Sequence, residues 1–163
     1  MRHIKFLLFS FFMLAPLCSS ASEVECMDRP ECWPDGSAMR TGLELRQRTQ
    51  AVEELLARKH AELVALASPG NRDGSPDRLR SALIAQQAGW LRYRREECEL
   101  VGALTGADSA WTSAYATRCE ANHAEQRLRR LQSAIRCIER IPSGQRTFQQ
   151  GRCMQQLAPL TNR

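Results

Sequence analysis

Residues 97 to 119 read "ECELVGALTGADSAWTSAYATRC", and the way this stretch breaks decides the fold. The segment "TGADS", Thr105 to Ser109, is a turn between two helical patterns, and Asp108 or Ser109 can cap the helix that follows. Cys98 and Cys119 stand at similar distances on either side of it. In an antiparallel helical hairpin they come level to within about 3 Å, close enough for a disulfide. The stretch therefore predicts two antiparallel helices cross-linked near a shared turn.

Working outward, the chain reads as all-α. From Thr41 to Ala67, Leu45, Val52, Leu55, Leu56, Leu63 and Leu66 fall mainly at helical steps. "SPGNRDGSPD", Ser68 to Asp77, ends that helix, and Ser75 with Pro76 forms an N-cap signature for the next. The second helix is predicted from Pro76 to Leu104, with Leu79, Leu83, Trp90, Val101 and Leu104 on or near one stripe and Gly102 as a weak point. The third carries Trp111, Tyr115, Cys119, Leu128, Leu131, Ile135 and Ile138 and stops before Pro142. A short fourth helix is predicted from Arg146 to Leu157, ended by Pro159. The expected architecture is a small antiparallel helical bundle or hairpin stapled by disulfides.

Arg2 and Lys5 precede an apolar run from Phe6 to Leu17, too short to span a bilayer, and the small residues Ser19, Ser20 and Ala21 follow it. This is the pattern of a signal peptide over residues 1–21, cleaved near Ala21, and implies a periplasmic or secreted protein with no transmembrane segment after cleavage. Lipid anchoring at Cys18 is the lesser reading, because Leu17 is bulky where a lipoprotein signal wants a small residue. The remaining organisation is a cysteine-containing arm at 22–40, a helical domain at 41–141 and a helical extension at 142–163.

Without Cys18, six cysteines remain at positions 26, 32, 98, 119, 137 and 153, an even set that in an exported chain implies disulfides. Cys119 and Cys137 share one predicted helix about 27 Å apart and cannot bond. Pairing Cys98 with Cys119 and Cys137 with Cys153 leaves Cys26 for Cys32. An exchange of partners between the pair Cys26/Cys32 and the pair Cys98/Cys119 remains open. No C-x2-C spacing exists, and His60 and His123 are far apart in sequence, so the spacing marks no metal site and no cofactor.

Removing Arg2 and Lys5 from 23 basic residues leaves 21 against 18 acidic, a mature balance of +3. No stripe of like charge appears, which argues against nucleic acid. Glu96, Glu97 and Glu99 lie beside arginines and suit ion pairing better than proton donation. No serine or histidine pattern joins a nucleophile to a base, so the chain does not read as an enzyme. His60 is expected to be a packing residue and His123 to pair locally.

The segment "WLRYRREEC", Trp90 to Cys98, belongs to a wider pattern. Gln87, Trp90, Arg94 and Cys98 follow at steps of three, four and four and share one helix side, leaving Arg92, Tyr93 and Arg95 outward. Trp90 is expected to pack on Trp111 or Tyr115, and Arg94 to stack on an aromatic ring or pair with an acid such as Glu120.

The pattern Q-x2-W-x2-Y-R-x3-C at Gln87, Trp90, Tyr93, Arg94 and Cys98, with C-x7-R-x3-L at Cys119, Arg127 and Leu131, resembles the exported bacterial domain named for the lysozyme inhibitor LprI. The likeness covers Leu43 to Leu131, most specifically from Gln87 onward. Arg95, Ala124 and "TGADS" depart from the usual residues of the family, which makes this a divergent member. The resemblance implies a helical, disulfide-linked envelope protein with a protein partner, namely a lysozyme.

On that implication the loop residues Thr105, Gly106, Asp108 and Ser109 are the candidate plug between the two carboxylates that cleave a glycosidic bond. The alternative readings are a binding module for another envelope protein, peptidoglycan or an anionic surface, and an accessory component of an export system. Nothing in the residues fixes the oligomeric state.

Overall fold

The computed structural model describes residues 26–67, 78–107 and 109–158. The expected leader and Cys18, the Ser75–Pro76 cap, Asp108 and Pro159 lie outside the described residues. The described residues form four α-helices, α1 (Ala38–Leu66), α2 (Arg78–Ala103), α3 (Ser109–Glu139) and α4 (Arg146–Met154), with 3-10 turns at Pro30–Cys32 before α1, Ser143–Gln145 between α3 and α4 and Gln155–Leu157 after α4, and no strand occurs among them. The helix at Thr41 begins three residues earlier than its apolar pattern indicates. Ser37 is the cause: its hydroxyl accepts from the Arg40 amide at 3.3 Å and caps the helix at Ala38.

α3 is the common partner of the other helices. Gly42 of α1 faces Ala114 near the start of α3, and Arg48 reaches Glu125 farther along, so α1 and α3 run parallel. Across the other seam Gly102 faces Thr112 while Gln87 faces Arg127, so α2 and α3 are antiparallel. α3 meets α1 through small buried residues, Ala114, Ala121, Ala124 and Ala134, which let Leu56 and Leu63 of α1 approach closely.

The two ends of the bundle are built differently. Far from the Thr105 turn, Leu56, Leu63, Val64, Leu83, Leu131, Ile135, Ile138, Met154 and Leu157 form one hydrophobic core. α4 folds back onto α3 there, and Cys137 and Cys153 are bonded with Cα atoms 5.5 Å apart. Towards the turn the α2–α3 seam is held by the Cys98–Cys119 bridge, with Cα atoms 5.4 Å apart. It also relies on Gly102, where an added Cβ would lie 2.7 Å from the Thr112 carbonyl oxygen. The amino-terminal arm closes its own loop through Cys26–Cys32 and packs against α1, with Pro30 buried. The exchanged pairing is therefore not the one observed.

Candidate functional site

The motif residues Gln87, Trp90, Arg94, Arg127 and Leu131 converge on a buried knot, not an open site. Trp90 lies between two guanidinium groups, with Arg94 Cζ 5.2 Å and Arg127 Cζ 5.5 Å from its ring. The Arg127 Nε donates to Gln87 Oε1 at 3.1 Å, one terminal nitrogen donates to the Leu157 carbonyl at 3.2 Å, and the other to Gln86 Oε1. Gln86 Nε2 donates to the same Leu157 carbonyl at 3.2 Å, so the motif arginine secures the carboxy-terminal turn. Burial, with a smaller contribution from the nearby charge of Arg130, pushes the Arg127 guanidinium down to about 10. Leu131 is completely buried one turn farther along α3.

The expected partner of Trp90 is not the one observed, whereas Arg94 finds the kinds of partner expected of it, in other residues. Trp111 meets Tyr115 instead, their ring centroids 6.1 Å apart. Antiparallel packing explains this, since Trp90 lies twelve residues from Gly102, roughly 18 Å along the axis from the level of Trp111. Arg94 does stack on an aromatic ring, that of Trp90, but its acid is Glu53 of α1, at 2.6 Å, and not Glu120. Glu53, Gln86 and the Leu157 carbonyl carry no local sequence pattern that marks them as partners of this knot.

Beside the knot, Tyr93 is exposed, as are Arg92 and Arg95, in keeping with their outward position. The Tyr93 hydroxyl donates to the Glu97 carboxylate, which holds the phenol above its usual range. Glu97 Oε2 lies 3.1 Å from His123 Nε2 across the seam, so His123 pairs with α2 rather than within its own helix. His60 is half-buried with Nε2 3.2 Å from the Leu83 carbonyl oxygen, a packing role.

The exposed feature is the tip of the hairpin. Thr105 and Gly106 turn the chain, Gly106 with a left-handed φ of 61°, and the Thr105 hydroxyl donates to the Gly102 carbonyl at 2.7 Å. Ser109 is the first residue of α3. Around the turn, Leu100, Val101, Leu104 and Tyr115 are exposed, Leu104 by 75 %. An open cavity of about 470 Å³ is lined by Thr105, Ala107, Trp111 and Tyr115. The reading that put Val101 and Leu104 on or near one stripe with Leu83 is thus overturned at the end of the helix. The seam face of α2 carries Leu83, Gln87, Arg94, Cys98 and Gly102, and the apolar residues near the turn fall off it.

No helix among the described residues is long and apolar enough to cross a membrane. No curated protein and no solved structure matches the chain. The family model described as "Lysozyme inhibitor LprI" matches residues 34–131, which takes in α1, α2, the tip and α3 as far as Leu131. On that match the chain belongs to the lysozyme inhibitor LprI family.

Proposed function

We propose that the protein is exported by its leader into the periplasm or beyond, and there binds a lysozyme with the tip of the α2–α3 hairpin, blocking the enzyme's substrate cleft. The observation that carries this reading is a turn that is exposed and apolar at its rim while covalently fixed at its base. Leu104, Thr105, Gly106 and Ala107 all project, and Cys98–Cys119 ties the two helices behind them. A loop held in one shape loses little conformational entropy when it enters a cleft. Hydroxyl and backbone groups of Thr105, Gly106, Asp108 and Ser109 would meet the catalytic carboxylates, and Leu104 and Tyr115 the apolar sugar-binding walls.

Charge does not drive this encounter. A mature balance of +3 gives no long-range attraction to a cationic lysozyme, so affinity must come from local fit. The test is titration of oxidised mature protein into muramidase assays with chicken-type, goose-type and bacterial enzymes. Slowing of at least one class is expected, with little dependence on salt between low and physiological ionic strength. No slowing of any class at micromolar protein removes the proposal.

A further inference from the structure

The Cys98–Cys119 bridge has a histidine beside it. Cys98 is fully buried on α2, Cys119 is half-buried on α3, and His123 follows Cys119 by one helical turn on the same side. One ligand atom from each of the three lies within 4.8 Å of the other two. The Glu97 Oε2 that stands 3.1 Å from His123 Nε2 is itself buried, so a further donor atom, a carboxylate oxygen, lies against the histidine. The surroundings favour a cation: Glu96, Glu97, Glu99 and Glu120 all lie within two residues of one of these cysteines, against Arg118 alone.

We propose that reduction of this bridge opens a metal site in which the thiolates of Cys98 and Cys119 and the imidazole of His123 bind a zinc-class divalent cation, with Glu97 or water completing the set. A dithiol or phosphine reductant supplies two electrons to the S–S bond and is itself oxidised, and two protons from water leave two thiols. The cation then displaces those protons to solvent. With metal–sulfur bonds of about 2.3 Å and metal–nitrogen bonds of about 2.0 Å, tetrahedral ligands sit on the order of 3.5 Å apart. The three ligand atoms already lie within 4.8 Å of one another, close to that spacing. Where water completes the set, the Glu97 carboxylate is left as the orienting partner that a metal-bound histidine usually has. The seam then stays cross-linked in both states, by sulfur when oxidised and by metal when reduced, independently of whether a lysozyme is the partner.

The experiment reduces the full mature protein with a phosphine and titrates cobalt(II), reading thiolate-to-cobalt charge transfer and the visible bands of tetrahedral cobalt, with zinc as competitor and circular dichroism alongside. One cobalt per reduced chain is expected and none on the oxidised chain. His123→Gln should weaken binding by about tenfold or more. The double variants Cys26→Ser with Cys32→Ser, and Cys137→Ser with Cys153→Ser, should keep the bands, and Cys98→Ser should lose them. If reduction alone lowers helicity, zinc should restore it. A helical reduced chain without thiolate–cobalt bands overturns the proposal. So do unchanged affinity in the His123 variant and failure of zinc to restore lost helicity.

Discussion

Arg127 carries a charge into the protein interior and is kept there by Gln86, Gln87, the Leu157 carbonyl and the face of Trp90. Arg127→Ala leaves the buried Gln87 without its partner and opens space beside Trp90, which together should cost about 2–4 kcal/mol in denaturant unfolding. Amide exchange should rise at Ala158, where the turn loses its anchor; unchanged stability would show that the knot is not a fixed point of the fold. A second test is optical. Glu97 accepts from the Tyr93 phenol and raises its pKa, so the fold favours the neutral form. That contribution is complete below pH 10 and fades as pH climbs through the raised value. In an absorbance titration near 295 nm, Glu97→Gln should bring one of the two tyrosines down towards 10 and leave the other in place.

At the scale of the helices, Gly102 sets how closely α2 approaches α3. Helix propensity alone favours Gly102→Ala by about 1 kcal/mol, but the new Cβ would meet the Thr112 backbone oxygen at 2.7 Å and the Ala116 Cβ at 3.2 Å. Overpacking against backbone costs about 1–3 kcal/mol, so the substitution should lower the melting temperature, and a rise would contradict the close contact. Severing Cys137–Cys153, which closes a separation of 16 residues, should cost about 3 kcal/mol in thermal unfolding and loosen α4 from the core. Helix existence and the hairpin bridge were legible in the sequence because turn residues and cysteine positions act locally. The interior face of α2 was not. Its seam is built from Gln87, Arg94, Cys98 and Gly102, so a rule that weights apolar residues turns Val101 and Leu104 the wrong way. Glu53 as the partner of Arg94 was hidden for a related reason: its choice depends on how α1 sits beside α2, which no spacing within either helix records.

Over the whole molecule, a hydrophobic core at one end and a sulfur-linked seam at the other divide stability from presentation. The core holds α1, α3, α4 and the Leu157 turn together, while the far end sets out an exposed tip behind which the Cys98–Cys119 bridge joins α2 to α3. The family pattern was readable because its motif spans both ends, from Gln87 in the knot to Cys98 and Cys119 behind the turn. The candidate loop was readable only as a break, and its apolar rim emerges once Leu100, Leu104 and Tyr115 are placed outside. The direct test compares inhibition of a susceptible lysozyme by the oxidised wild-type protein and by one with Leu104, Thr105, Asp108 and Ser109 replaced by Ser, Gly, Asn and Ala, with helicity monitored in both. Loss of inhibition by tenfold or more at unchanged helicity is the predicted result. Full potency in the altered protein would contradict the account and place the inhibitory surface elsewhere.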